Sequence, residues 1–233
     1  MQMPEILLID KPAGITSFDV IRRLRKAYTH ANNGDKAPKM GHAGTLDPAA
    51  SGLMILGVGS GTKRLTEFIK LDKEYIADVL VGESRTTGDM EGEVLDSVSE
   101  VLLSEEQVKG VVGKLEGVLS LPVSAYSAIK KDGVPMYKRA REAAKVGELV
   151  KDVPWREMKV YEAELLDIYV HEVNDVKRMI VKIRFFVGSG TYIRSLAEEL
   201  GRRLGYPACL YSLRRTKVGD FTLSNALKLD EIK

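Results

Sequence analysis

Apolar and polar positions change rhythm repeatedly along this chain, and each rhythm predicts an element. Residues 5–9 predict a short strand closed by the turn Lys11-Pro12-Ala13-Gly14. Val20, Ile21, Leu24 and Ala27 recur at helical spacing, with Ser17 read as the N-cap. An apolar strand follows at 53–58, a helix at 62–71 and an alternating, half-buried strand at 75–81. Ser104 caps a helix through Leu115, with Glu106 and Gln107 in its first turn, and 135–146 reads as a second, basic helix. From 160 to 187 the pattern is β, with Met179, Val181, Ile183, Phe185 and Val187 on one face and Lys182 and Arg184 on the other. An amphipathic helix at 191–205 ends at Gly205 and Pro207, a strand covers 208–216, and a short helix covers 225–232. Polar stretches at 30–39 and 84–92 predict loops. Strands and helices mix without a βαβ rhythm and without repeats, so the expected class is α+β in a single domain over 1–233.

Composition narrows the function classes. No apolar run is long enough to span a membrane, and no secretory signal is visible, so a cytoplasmic, non-membrane protein is expected. Cys209 stands alone, and His30, His42 and His171 are scattered, so neither a disulfide nor a zinc-ligand spacing exists. A net charge of +2 does not announce nucleic acid. Local clusters say more: Arg22, Arg23, Arg25 and Lys26; Lys130, Lys131, Lys138, Arg139 and Arg141; Arg202 and Arg203; Arg214, Arg215 and Lys217. Such patches bind phosphate backbones, although any one of them also fits a solvated helix face.

The densest candidate chemistry is the run 41–52, GHAGTLDPAASG. Gly41, Gly44 and Gly52 remove bulk and permit positive φ, while Pro48 biases Asp47 away from helix. An aspartate held there is oriented without being packed under side chains, so a flat substrate can approach the backbone. Alone, Asp-Pro would mark an ordinary turn.

The run resembles the catalytic segment of the TruB-type pseudouridine synthases, and other landmarks of that family recur in order: LLIDKPAGITSFDV at 7–20, KEYIADVLVG at 73–82, PVSAYSAIKKDGVPMYKRAREA at 122–143, GTYIRSLAEELG at 190–201 and YSLRRTKVGDF at 211–221. The resemblance implies the pseudouridine synthase fold, a mixed, largely antiparallel sheet flanked by helices and loops. It implies isomerisation of uridine 55 in the tRNA T loop by base flipping, cleavage of the N1–C1′ bond and reattachment through C5. Nothing in that reaction is redox or needs an energy source, so no cofactor or metal is required. By resemblance Asp47 is the nucleophile, adding at C1′ or promoting a glycal-type elimination. Arg194 is the guanidinium that keeps it ionised, and Tyr75 stacks on the uracil and takes part in proton transfer at C5. His42, Gly44, Lys130, Tyr192, Leu213, Lys11 and Lys63 are the expected RNA- or substrate-binding residues; Lys11 shapes a neighbouring loop.

The family commonly has Thr-Asp-Thr-x-Asp after the tyrosine strand, whereas this chain has Arg85-Thr86-Thr87-Gly88-Asp89, so no role passes to Thr86. The partner expected is the T arm of tRNA, met by a monomer without guide RNA. Bacterial relatives usually continue into a C-terminal RNA-binding domain of the PUA type; the expectation is that none follows here and that RNA binding is weaker. Two rivals remain. Gly57-Val58-Gly59-Ser60-Gly61-Thr62-Lys63 follows a strand and could cradle a nucleotide phosphate, although it lacks P-loop spacing. The chain could also bind tRNA without modifying it, against which Asp47, Tyr75 and Arg194 speak.

Overall fold

The computed structural model describes residues 3–150 and 152–231, and its chain divides into two compact units. The first comprises residues up to Ile76 and from Leu213 onward; the second is Ala77–Ser212. In chain order the first part gives β1 (Ile6–Lys11), α1 (Ser17–Ala31), β2 (Met40–His42), β3 (Ser51–Val58), α2 (Leu65–Ile69) and β4 (Lys73–Val81). The middle gives β5 (Glu83–Arg85), β6 (Val94–Ser97), α3 (Glu105–Gly113), β7 (Gly117–Pro122), β8 (Lys130–Lys131), β9 (Val134–Pro135), α4 (Met136–Lys145), β10 (Trp155–Val173), β11 (Val176–Val187) and α5 (Ile193–Leu204). The chain closes with β12 (Ala208–Val218), β13 (Phe221–Thr222) and β14 (Leu227–Lys228).

In the first unit the strand order is β14-β1-β3-β12, with β2 on β3 and β13 on β12. β1 and β3 are antiparallel from Ile6↔Gly57 to Lys11↔Gly52, whereas β12 meets β3 in parallel at Arg214↔Ser51 and Arg215↔Gly52. Ala43, Leu53, Ile55, Phe68 and Val218 form its core, and Phe68 meets Phe221 edge-on at 5.4 Å. In the second unit, which β4 joins from Ala77 onward, the order is β4-β11-β10-β7. The β10–β11 hairpin turns through Asn174 and Asp175, both at positive φ, as a twist-matched two-residue turn demands. Leu80, Val173, Ile180 and Cys209 pack behind it. The α+β class and the largely antiparallel sheet match the sequence reading.

Four expectations change. The N-cap of α1 is Thr16, whose hydroxyl and backbone form a reciprocal capping box with Asp19; Ser17 is buried and used elsewhere. The helix expected at 62–71 begins as a 3-10 turn, Gly59–Arg64, before α2. Met179 is only half-buried, and Ile180 takes the covered position. Finally, the helix expected at 225–232 gives way to 3-10 turns at Leu223–Asn225 and Leu229–Glu231, because Leu227 and Lys228 pair with Ile9 and Asp10 of β1. Ile232 lies outside the described residues. No described helix is long and apolar enough to cross a membrane.

Candidate active site

Asp47 sits on the loop joining β2 to β3, half-buried, and Asp47 O closes a turn onto the amide of Ala50 (3.1 Å). Its neighbours are held by their main chain. Ser17 Oγ accepts from the Leu46 amide (2.9 Å) and donates to the Leu46 carbonyl (3.0 Å), which ties the start of α1 to the residue before the aspartate. Lys11 is 0% exposed; its ammonium donates to Ile15 O (2.7 Å), Pro12 O (3.0 Å) and Pro48 O (3.2 Å). The Gly14 amide also donates to Pro48 O (2.8 Å). Bonds from a charged donor are worth about 1.5–3 kcal/mol each, so this corner of the loop is firmly fixed. A lysine without exposed surface acts on RNA only through the turn it holds.

Two of the run's glycines are required by geometry. Gly44 has φ +93, and the Cβ it lacks would point at Arg215 Nη1 3.6 Å away. Gly52 has φ +108, and a Cβ there would lie 2.2 Å from Arg215 O. Arg215 is therefore no surface phosphate ligand, as its basic cluster suggested. It is 1% exposed and donates Nε to Leu53 O (2.7 Å) and Nη2 to Gly44 O (3.3 Å). Its neighbour Arg214 pairs with Asp10 at 2.7 Å.

His42 lies at the end of β2, and its Nδ1 is buried without a hydrogen-bond partner among the described residues. Burial, and then the charge of Arg215, lower its pKa, so the ring is held neutral. Tyr75 is 7% exposed on β4, on the same face as Lys73. The intervening Glu74 accepts from Thr216 Oγ1 at 2.7 Å. Lys73 is buried too, donating to Ile69 O and Leu71 O, and desolvation followed by Arg215 lowers its pKa to about 8. Leu213 is half-buried on β12, and Lys63 is exposed on the 3-10 turn before α2.

In the second unit Arg194 is buried in the first turn of α5. It donates to Thr87 O (2.9 Å), Tyr126 O (3.1 Å) and Ser124 Oγ (3.2 Å), and faces Asp89 Oδ2 at 3.5 Å. Asp89 is fixed in turn by Thr87 Oγ1 (2.5 Å) and the Glu91 amide (3.1 Å). Sequence reasoning noticed this loop for the missing acid at Thr86 but assigned nothing to Asp89, Ser124 or Tyr126. The signal available was an aspartate among turn formers. Tyr192 is half-buried at the N-cap of α5, and Lys130 is exposed on β8. Asp47, Tyr75, His42, Gly44, Lys11, Lys63 and Leu213 thus share the first unit, while Arg194, Tyr192 and Lys130 share the second.

Of the glycines of 57–63, Gly57 and Gly61 are taken up by packing and Gly59 by its φ of +58. A Cβ on Gly61 would lie 2.0 Å from Glu5 O, one on Gly57 would lie 2.7 Å from Gly61 O, and Ser60 Oγ bonds the Glu5 carboxylate. A carboxylate there would repel a nucleotide.

Residues 29–193 match the profile of the TruB family pseudouridylate synthases (N terminal domain). The chain belongs to this family. This TruB-family synthase is 39% identical over 233 residues to the tRNA pseudouridine synthase B of Corynebacterium efficiens, covering 100% of this chain and 73% of that protein. It is 40% identical over 228 residues to that of Leifsonia xyli subsp. xyli, covering 96% and 70%. Among solved structures, the chain is similar to one from a Cbf5-Nop10-Gar1 complex at a TM-score of 0.68 and 25% identity, covering 97% of this chain and 52% of that one. A chain from an H/ACA RNP bound to a substrate RNA containing 2′-deoxyuridine gives 0.65 and 25%, covering 97% and 51%. This chain therefore spans about half the length of those solved chains. The TruB-family chain is an RNA pseudouridine synthase with the pseudouridine synthase fold.

Proposed function

We propose that this TruB-family synthase converts uridine 55 in the T loop of tRNA to pseudouridine, as a cytoplasmic, stand-alone monomer that uses neither guide RNA nor cofactor. The relatives named tRNA pseudouridine synthase B, similar along the whole chain, supply the substrate class. The observation that carries the chemistry is a half-buried carboxylate on a loop pinned through its backbone at Leu46 and Pro48. A nucleophile that must meet one ribose carbon gains from such fixed orientation.

In this reading the target nucleotide leaves the stack of the loop, which costs less there than in a duplex. Asp47, with Arg194 as the guanidinium paired with it in this reading, acts at the sugar as the N1–C1′ bond breaks and its electron pair passes to uracil. The base turns, C5 joins C1′, and the C5 proton leaves through the Tyr75 hydroxyl while N1 gains one, so atoms and charge balance without a co-reactant. His42, Gly44, Leu213 and Tyr192 meet the displaced nucleotide, and Lys130 and Lys63 meet phosphate. Lys11 contributes by shaping the Asp47 loop. The exposed face of α1 supports an RNA partner: Arg23, Arg25 and Lys26 have no carboxylate within salt-bridge distance among the described residues, so their charge is available to phosphates.

The test uses tRNA carrying tritium at uridine C5. Wild-type protein should release label to water and leave pseudouridine in the T loop. Asp47→Asn should bind tRNA and release almost none. Equal release by both would remove Asp47 from the mechanism, and wild-type modification confined to another site would remove the substrate assignment.

A further inference from the structure

We propose that Arg215 is a positioning residue for catalysis, its single buried guanidinium tying the start of the loop that carries Asp47 to the strand that follows it. The inference rests on the role given to Asp47 above. The loop leaves β2 through Gly44 and enters β3 at Ser51; Arg215 holds the Gly44 carbonyl through Nη2 at 3.3 Å and, two residues into β3, the Leu53 carbonyl through Nε at 2.7 Å. Lys11, Gly14 and Ser17 bind the middle of the same loop, at Pro48 and Leu46. Start and middle of the loop are thus secured by different parts of the chain; the main chain also joins its flanks, Ala43 N donating to Ile55 O at 2.9 Å, and Arg215 adds a side-chain bond inside the loop at Gly44.

Three observations argue against a merely packed side chain. Arg215 is among the largest fully buried residues, yet it has no carboxylate partner among the described residues. A buried cation without a counter-ion is expensive, and an apolar residue of similar length would fill the volume at lower cost. Its backbone is locked as well: Arg215 pairs with Gly52 across β12 and β3, so closely that a Cβ on Gly52 would strike the Arg215 carbonyl. With 1% of its surface exposed and its donors engaged on Leu53 O and Gly44 O, the guanidinium faces the protein and not RNA. What remains for it is the fork itself, two directed donors on rigid geometry, which lysine cannot reproduce.

The test compares Arg215→Met and Arg215→Lys with wild type and Asp47→Asn. Measurements are single-turnover tritium release at saturating enzyme, tRNA affinity, the fraction folded, and the NMR titration of His42. Displacement of a reacting group by an ångström costs about a hundredfold, so both Arg215 variants should lose about that much rate per folded molecule. Their tRNA affinity should stay within about twofold, a loss of kcat rather than of binding. His42 should titrate higher in Arg215→Met, because the charge that helps hold it low is gone. Wild-type rate in either folded variant overturns the inference, and so does a loss matched by the unfolded fraction. If Arg215→Met does not fold, Arg215→Lys decides alone. An active Asp47→Asn would instead overturn the functional reading, whatever the Arg215 variants do.

Discussion

Substitution of Gly52 by alanine should be one of the most damaging single-methyl changes available to this chain, and the structure sets its size. At φ +108 an L-residue carries a backbone penalty of about 1–2 kcal/mol. The added Cβ would also lie 2.2 Å from Arg215 O and 2.7 Å from Arg215 N, both main-chain atoms on a paired strand. A backbone neighbour cannot rotate away, so β3 and β12 must part, an overpacking cost of about 1–3 kcal/mol. Together the two terms give a loss of about 2–5 kcal/mol, a large part of the roughly 5–15 kcal/mol that holds a typical domain folded. Gly34 provides the control: its φ is +94, but nothing lies within 4 Å of its missing Cβ. Gly34→Ala should cost only the backbone penalty of about 1–2 kcal/mol. Urea denaturation of wild type and both variants reads the difference directly. Equal midpoints for Gly52→Ala and Gly34→Ala would show that the close approach of Arg215 is not rigid, and the reasoning would fail.

Ser17→Ala leaves the Leu46 amide and carbonyl buried without the hydroxyl that serves both, so stability should fall by about 1–3 kcal/mol and turnover should fall with it; unchanged turnover would detach the helix start from the catalytic loop. Lys73 gives a pH signature. The unfolded chain keeps that proton to about 10.5 whereas the folded chain releases it near 8, so between these values the unfolded state binds more protons and stability rises with pH. Relative to Lys73→Met, wild type should therefore gain up to about 3 kcal/mol across that window, and a pH-independent difference would contradict the buried ammonium. Cys209 is fully buried and its thiol is pushed up to about 12, chiefly by desolvation, so an aromatic disulfide reagent at neutral pH should leave it untouched until urea exposes it. Rapid labelling of native protein would refute its burial.

Much of this molecule was legible because its signals are local. The capping box of α3 could be read from Ser104 and Gln107 alone, and the helix stop at Gly205 from a residue that tolerates φ +81. Thr16 was missed as the α1 cap because two hydroxyl residues stand side by side, and only the reach of Asp19 back to the Thr16 amide separates them. Non-local pairing hid the rest. The segment 225–232 carries a helix-like pattern, yet Leu227 finds Ile9 more than two hundred positions away. Arg215 looked like one more surface cation until the parallel pairing of β12 with β3 placed it under the Asp47 loop. The resemblance supplied the candidate residues of the site, whereas the hydrogen bonds that hold them were visible only in three dimensions.

The anchoring of the aspartate loop through carbonyls and amides has a consequence for how this enzyme can vary. Hooks on Gly44, Leu46, Pro48 and Leu53 grip main-chain carbonyls, which every amino acid possesses, and one amide, which only proline lacks, while the side chains of Thr45 and Ala49 face solvent. Those two letters are therefore free to drift, or to be rewritten by an engineer seeking a different RNA contact, without shifting the group between them that does the chemistry.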